Sequence, residues 1–181
     1  MIEHEIKYRV TDFANIADAV TKLGFRKANE ITQKDIYYSR ADVDYTKTLE
    51  CLRIRHENNH VELTYKPASN SAMKNSNFIW KKEINIKIDT KDSEELQQLL
   101  KSLGCRQLCV VSKKRAEYKK GNRTVALDDV KSLGQFIELE ILSGLQNKKL
   151  IRELESLAKE IGLKKAELVN LPYRDLVIAL G

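Results

Sequence analysis

Cysteine is scarce in this sequence, with three residues in 181: Cys51, Cys105 and Cys109. So few cysteines form no recognisable disulfide framework. Cys105 and Cys109 could be read as half of a metal site, but no second Cys/His pair stands at ligand spacing from them. We therefore expect three free thiols and, because thiols persist in a reducing compartment, a cytoplasmic protein.

Histidine and glycine are also sparse, with three and seven residues. The histidines (His4, His56 and His60) have neither the spacing of metal ligands nor that of a catalytic triad, and His4 is expected to have a structural or surface role. No glycine-rich Walker loop is present, so any bound phosphate must be held by side chains. No apolar run approaches the length of a membrane span, and residues 1–5 are no signal peptide.

Charge is what the sequence has in abundance. Charged residues make up 32% of the chain, and 32 Lys and Arg against 26 Asp and Glu give a formal net charge of +6. The hydrophobic fraction of 42% is that of an ordinary globular protein, and the length fits one domain or two small halves that share a core. The basic balance favours anionic partners, namely nucleic acid, phosphates or an acidic membrane surface, without choosing among them.

The chain partly repeats itself after 80 residues. Residues 3–38 overlay residues 83–118 without a gap and with nine identities. This period is far longer than a solenoid repeat, so we expect two similar halves that close into one structure. The halves are about 1–67 and 79–142, and C-terminal helices follow over 146–181.

Each half is predicted to contain one strand, one helix and then three more strands. The eight predicted strands are 2–10, 30–38, 49–57, 60–66, 79–88, 107–118, 122–129 and 135–142. Further helices are predicted over 147–161 and from Pro172 to near Gly181. The segment 68–77 has the composition of a loop and joins the halves, which makes it a candidate mobile flap.

Charged residues recur on one face of nearly every predicted strand. Side chains alternate across a strand, so Glu3, Glu5 and Lys7 share a face while Ile6 and Tyr8 lie on the other. The same alternation places the following residues on the polar faces of the other strands: Arg53, Arg55, Glu62, Lys66, Lys81, Glu83, Lys87, Lys113, Arg115, Asp128, Glu138 and Glu140.

Two interpretations fit this alternation. An open antiparallel sheet with one face in water would leave the charges solvated. Long residues of both signs, recurring in both halves, favour instead an α+β fold: a closed eight-stranded antiparallel β-barrel with charge inside and helices packed outside. Buried ions persist only when they are paired or neutralised. A polyanion carrying Mg²⁺ or Mn²⁺ would compensate both signs, because Lys and Arg bind phosphate while carboxylates bind the metal.

The segment Glu3-x-Glu5-x-Lys7 resembles the signature of the CYTH superfamily, the triphosphate tunnel metalloenzymes, and the chain looks most like the class IV adenylyl cyclases. A lone Glu-x-Glu-x-Lys is a weak signal, but an ordered set of further matches extends to residue 174. These matches are Gln33-x-Asp35-x-Tyr37, Leu52-Arg53-x-Arg55, Thr64-Tyr65-Lys66, Lys113-x-Arg115, Asp128, Leu133-Gly134-x-Phe136-x-Glu138-x-Glu140 and Tyr173-Arg174. The resemblance implies a single tunnel domain over 1–181 with a triphosphate inside.

The resemblance also implies roles for the matched residues. The residues implied to bind the phosphates are Lys7, Arg53, Arg55, Lys66, Lys81, Lys113 and Arg115. The residues implied to hold Mg²⁺ or Mn²⁺ are Glu3, Glu5, Glu138 and Glu140. At the reacting end, Lys66, Lys113 and Asp128 are implied as catalytic groups. Asn85 stands where the family commonly has an acid, and Lys81 where it commonly has arginine. Each assignment competes with a structural ion pair inside the tunnel.

Three functions remain open at this stage. In the first, a phosphorus–oxygen lyase reaction, the ribose 3′-hydroxyl of ATP attacks the α-phosphate and gives cyclic AMP and pyrophosphate. In the second, water hydrolyses tripolyphosphate, thiamine triphosphate or a nucleoside triphosphate. The length and Gln33-x-Asp35-x-Tyr37 favour the cyclase. The third, a non-enzymatic barrel that binds RNA or polyphosphate, leaves the acids on the basic face unexplained. We expect a small-molecule triphosphate as partner rather than a membrane or nucleic acid, and a homodimer is left open.

Overall fold

The computed structural model of the chain describes residues 2–68, 83–144, 148–164 and 167–181. The strands are β1 (Ile2–Val10), β2 (Arg26–Arg40), β3 (Cys51–Glu57), β4 (His60–Lys66), β5 (Ile84–Ile88), β6 (Cys105–Lys120), β7 (Arg123–Val130) and β8 (Gly134–Ser143). The helices are α1 (Ala14–Lys22), α2 (Tyr45–Thr48), α3 (Ser93–Ser102), α4 (Lys148–Glu160) and α5 (Tyr173–Ile178), and a 3₁₀ turn (Thr90–Asp92) precedes α3. No helix in this part of the chain is long and apolar enough to cross a membrane.

The strands form one antiparallel sheet in the order β1-β8-β7-β6-β2-β3-β4-β5. The eight-stranded antiparallel sheet with accompanying helices is therefore confirmed. β1 and β5 stand at the two ends of this order, and no pairing joins them within the described residues. Closure into a barrel stays a prediction.

Two compact units divide the chain. Unit 1 lies within residues 2–31 and 113–171, and unit 2 within residues 32–68, 83–112 and 172–181. Unit 1 contains β1, from the first sequence half, together with β7 and β8, from the second. Unit 1 thus combines strands from both predicted halves, and the single tunnel domain with its two repeat halves stays a prediction.

Alternation along the strands builds the core of unit 1. Apolar residues of β1, β7 and β8 point to one face, where α1 and α4 cover them. The buried members of this core include Ile6, Tyr8, Val20, Val125, Leu127, Ile137, Leu139, Ile141, Leu154 and Leu157. The charged residues that alternate with them along β1, β7 and β8 must point to the opposite face, which is where the candidate site lies.

Unit 2 has a smaller core on the same principle. Ile36 and Tyr38 of β2 pack with Ile54, Val61 and Leu100, and α3 supplies the last of these. The polar residues that alternate with them lie on the other face of β2, β3 and β4. In this unit too, the covering of one face by a helix leaves the charged face for the site.

The C-terminal Tyr173-Arg174, one of the matches quoted above, lies in unit 2. The guanidinium of Arg174 donates to the carbonyl of Glu50 at 2.5 Å and to that of Tyr45 at 3.4 Å. Its Nε donates to Asp175 at 2.6 Å. These contacts give Arg174 a structural role, since it anchors α5 to the loop around α2.

The predictions of local structure have three outcomes: one helix was missed, some predictions lie outside the described residues, and the free cysteines are confirmed. α2 was not predicted, because a single helical turn, capped here by Asp44, is too short to show periodicity. The start of the fifth predicted strand (79–82), the joining segment (69–77) and Lys81 lie outside the described residues and stay predictions. The three cysteines are free, as predicted, and burial raises the pKa of Cys109 to about 11.

Candidate metal and triphosphate site

Three carboxylates converge in unit 1. Glu3 and Glu5 lie on β1 and Glu140 on β8, where Glu140 is the register partner of Glu5. One oxygen from each side chain lies within 4.8 Å of the other two. Sequence reasoning had named all three as metal ligands. Carboxylate oxygens are hard ligands of the kind that Mg²⁺ and Mn²⁺ prefer, so this carboxylate triad fits a divalent cation.

The pKa shift of Glu140 is consistent with a cation site at the triad. Burial raises the pKa of Glu140 well above its usual value, and the carboxylates of Glu3, Glu138 and Glu5 raise it further. The guanidinium of Arg115 acts in the opposite direction. Like charges this close disfavour one another's ionised form. A divalent cation held by the triad would remove that repulsion.

Glu138 lies outside the triad and contacts cations instead. Its Oε1 is 3.3 Å from Nζ of Lys7, and its Oε2 contacts Arg115 and lies 4.0 Å from Nζ of Lys113. Burial alone would raise the pKa of Glu138, but Lys113, Arg115 and Lys7 lower it well below its usual value. Glu138 thus holds three cations together, and its role as a metal ligand stays a prediction.

Asp128 is fully buried, at 0% exposure, and binds two cations. It lies on β7 directly opposite Arg115 of β6. Arg115 donates through Nε to Oδ1 at 2.7 Å and through Nη2 to Oδ2 at 2.6 Å, a bidentate pair. Lys113 donates to Oδ2 at 2.8 Å. The structure therefore brings together the three predicted residues of this cluster and fixes the orientation of both cations.

Carboxylates outnumber cationic side chains in this site of unit 1. Five carboxylates meet three cations, a formal excess of two negative charges when all are ionised. The acids are Glu3, Glu5, Asp128, Glu138 and Glu140, and the bases are Lys7, Lys113 and Arg115. One divalent cation would neutralise this excess.

Unit 2 carries a second group of cations on its polar face. Arg55 of β3 forms a bidentate pair with Asp35 of β2, with Nε–Oδ1 and Nη2–Oδ2 distances of 2.7 Å. Arg53 donates to Oγ1 of Thr64 at 3.2 Å, and its Nη1 lies 3.6 Å from Asp35. Burial would lower the pKa of Arg53, but Asp35 and the Tyr37 phenol raise it, so the guanidinium stays charged.

Lys66 and Asn85, the residue that stands where the family commonly has an acid, both contact the carboxylate of Glu83. The ammonium of Lys66 pairs with the Glu83 carboxylate, and the amide of Asn85 donates to the same carboxylate at 3.4 Å. Glu83, two residues before Asn85, is therefore the shared partner of Lys66 and Asn85. Burial raises the pKa of Glu83, but Lys66 lowers it to a net value below the usual one.

The predicted site residues fall into two groups by unit. Unit 1 gathers Glu3, Glu5, Lys7, Lys113, Arg115, Asp128, Glu138 and Glu140, and unit 2 gathers Arg53, Arg55 and Lys66. Sequence reasoning gave no role to Asp35 or Glu83. The sequence signal for Asp35 was the matched segment Gln33-x-Asp35-x-Tyr37, whereas its place opposite Arg55 follows only from the register of β2 with β3.

Comparison with known proteins identifies the family. Residues 1–173 match the family model described as CYTH domain. The chain belongs to the CYTH domain family. The resemblance drawn from the ordered motifs is confirmed.

Relatives of this CYTH chain cover it nearly end to end. A Methanocaldococcus jannaschii protein named "Putative adenylate cyclase" is 33% identical over 178 residues, which cover 97% of this chain and 98% of the relative. The solved structure of the PH1819 protein from Pyrococcus horikoshii has a TM-score of 0.82 at 29% identity and covers 99% of each chain. A Hippeastrum protein, described as a "putative adenylyl cyclase" that reveals a dominant triphosphatase activity, shares the fold with a TM-score of 0.69 at 18% identity, and the match covers 99% of this chain and 96% of that one.

Proposed function

We propose that this CYTH chain is a metal-dependent enzyme that acts on a triphosphate, and that it converts ATP to cyclic AMP and pyrophosphate. The observation that carries the proposal is the carboxylate triad of Glu3, Glu5 and Glu140 beside a buried cluster of cations. A polyanion that brings a divalent cation satisfies both groups at once. The proposal includes closure of the sheet into a barrel around the substrate.

In this proposal the triad holds Mg²⁺ or Mn²⁺. When bound there, the metal neutralises phosphate charge and lowers the pKa of an attached hydroxyl or water. Glu3, Glu5 and Glu140 supply the oxygen ligands, and Glu138 either joins them or keeps its contacts with Lys7 and Arg115. The choice between these two roles of Glu138 depends on whether substrate replaces it as the partner of the cations.

The basic residues of the chain bind the phosphates. Lys7, Lys113 and Arg115 are candidates in unit 1, and Arg53, Arg55 and Lys66 in unit 2, with Lys81 as a further predicted contact. Asp128 keeps the Lys113 ammonium and the Arg115 guanidinium in fixed positions, so that little reorganisation is needed when phosphate binds. For cyclisation, Lys66 and Lys113 would stabilise the charge that develops as pyrophosphate leaves.

Cyclisation and hydrolysis would use the same groups with different nucleophiles. The names of the relatives favour cyclisation: besides the M. jannaschii protein, "Adenylate cyclase CyaB" of Aeromonas hydrophila is 31% identical over 93 residues, about half of each chain. The second candidate is hydrolysis of a triphosphate by water. It is favoured by the Hippeastrum protein, which is described as a "putative adenylyl cyclase" with a dominant triphosphatase activity.

Product analysis separates these candidates. The purified protein is incubated with ATP, thiamine triphosphate or tripolyphosphate, each with Mg²⁺, with Mn²⁺ or with a chelator. We expect cyclic AMP and pyrophosphate from ATP, only with metal, because the carboxylates need a cation before a polyanion can approach. Orthophosphate as the main product would select hydrolysis. Turnover that is the same in chelator would contradict the metal dependence of the proposed enzyme. No turnover, together with polyphosphate binding that is indifferent to metal and steeply salt-dependent, would contradict the enzyme proposal and favour a non-enzymatic barrel.

A further inference from the structure

Asp35 is a buried acid of unit 2 to which the proposed chemistry assigns no step. It is 2% exposed and lies on β2 directly opposite Arg55 of β3. Its two oxygens accept the bidentate pair from Arg55, and Nη1 of Arg53 lies 3.6 Å from Oδ2. The Tyr37 hydroxyl donates to the same Oδ2 at 3.5 Å. One carboxylate is therefore the common partner of two arginines.

The two arginines keep donors available. Asp35 takes two of the five N–H groups of Arg55, and Nη1 of Arg55 makes no hydrogen bond within the described residues. The Nε of Arg53 is likewise without a hydrogen-bond partner in this part of the chain, although it is buried. The side chains of Arg55 and Arg53 remain 18% and 11% exposed. Arg55 is thus tied to Asp35 through Nε and Nη2 and keeps Nη1 for a ligand, while Arg53 contacts Asp35 and Thr64 through its terminal nitrogens and is partly exposed.

Unit 1 contains the same arrangement, except that the acid lies on the second strand of the pair and the cations lie on the first. There the acid, Asp128, lies on the second strand of the β6–β7 hairpin, and it holds Arg115 in a bidentate pair directly opposite. A second cation, Lys113, stands two residues before that arginine, just as Arg53 stands two residues before Arg55. In each unit, therefore, one buried acid contacts two cationic side chains that stand two residues apart on the neighbouring strand.

We infer that Asp35 is a positioning residue that sets Arg53 and Arg55 in the orientation in which they bind the polyphosphate. This inference rests on the proposed function, because it takes the two arginines as phosphate-binding residues. Asp35 itself does not touch the phosphates. Its contribution is to fix two long side chains whose rotamers would otherwise have to be ordered when the ligand binds.

A positioning residue and a simple counter-ion predict opposite changes in anion affinity. If Asp35 only balances charge, its removal makes the face more positive and should strengthen the binding of an anion. If Asp35 positions the arginines, its removal frees them and should weaken binding despite the more favourable charge. The sign of the change therefore discriminates between the two roles, and it does so without any measurement of turnover.

The test measures tripolyphosphate affinity by calorimetry, in the presence of Mg²⁺, for Asp35→Asn and Asp35→Glu. We expect about tenfold weaker binding for Asp35→Asn, and a clear loss for Asp35→Glu, which keeps the charge but moves the carboxylate by one methylene. The matched control is Asp42→Asn, which removes an acid paired with Arg40 in an exposed bidentate contact of the same unit. We expect it to bind like the wild type.

A double-mutant cycle completes the test, since Asp35 should act only through its arginines. In an Arg53→Gln/Arg55→Gln background, Asp35→Asn should change the affinity by less than about twofold. Wild-type or tighter binding by both Asp35 variants, or an equal loss in both backgrounds, would overturn the inference. Failure of the wild type to bind tripolyphosphate would overturn the proposed function and this inference with it. Unfolding curves of each variant separate loss of fold from loss of affinity, and Asp35→Glu remains decisive if Asp35→Asn does not fold.

Discussion

Replacing Glu5 with glutamine is expected to lower metal-dependent turnover by about a hundredfold or more, because an amide is a far weaker ligand for a hard cation than a carboxylate. The substitution preserves size and leaves the strand pairing of β1 with β8 unchanged. Turnover of the purified variant is measured with saturating substrate over a range of Mg²⁺ and Mn²⁺ concentrations. The matched control is Glu30→Gln, an exposed acid of unit 1 paired with Lys27, which should turn over like the wild type.

Glu5→Gln also has an expected effect on stability that separates a metal ligand from a structural acid. Without metal, the variant should be at least as stable as the wild type, since it removes one of the carboxylates that raise the pKa of Glu140. With Mg²⁺, the wild type should gain stability by ligand linkage and the variant should gain much less. Wild-type turnover in Glu5→Gln, or equal stabilisation of both proteins by Mg²⁺, would remove Glu5 from the metal site.

Replacing Asp128 with asparagine should cost about 3–5 kcal/mol of the free energy of unfolding, because it removes the carboxylate that accepts three hydrogen bonds from the buried Lys113 and Arg115. Asp128 is the acceptor for both Lys113 and Arg115, and all three side chains are buried. Urea unfolding at neutral pH measures the effect. The exposed pair of Arg40 with Asp42 provides the control, since Asp42→Asn should leave the unfolding curve close to that of the wild type.

A second substitution tests the cause of that loss. Adding Lys113→Met to Asp128→Asn removes one of the two buried cations that lost this acceptor and should recover part of the lost stability. Equal stability of the single and double variants would show that the buried Lys113 charge is not responsible for the loss. A loss below about 1 kcal/mol for Asp128→Asn alone would contradict the account of the buried ion cluster.

The local pattern of the strands was predictable because it depends on a period of two. Alternation alone placed Glu3, Glu5 and Lys7 on one face of β1, and the structure has β1 over the predicted residues with its apolar side in the core. α4 was likewise predictable from the spacing of Leu150, Leu154 and Leu157. Each of these signals is contained in a single continuous segment.

What sequence could not provide is the pairing between distant segments. That Glu5 faces Glu140, and that Asp35 faces Arg55, follows from strand order and register, which alternation does not determine. The separation of Glu138 from the carboxylate triad has the same origin: register places it opposite Lys7, while Glu140, two residues on, faces Glu5. Motif matching assigns both glutamates one role, whereas their pKa values shift in opposite directions.

Direct measurement of metal binding is the sharpest test of the central claim that the carboxylate triad holds a divalent cation. The free Mn²⁺ remaining during a titration is followed by electron paramagnetic resonance, with wild type, Glu140→Gln and the control Glu30→Gln. The account predicts saturable Mn²⁺ binding by the wild type and Glu30→Gln, and at least a tenfold loss of affinity in Glu140→Gln. Equal Mn²⁺ affinity in all three proteins would contradict it.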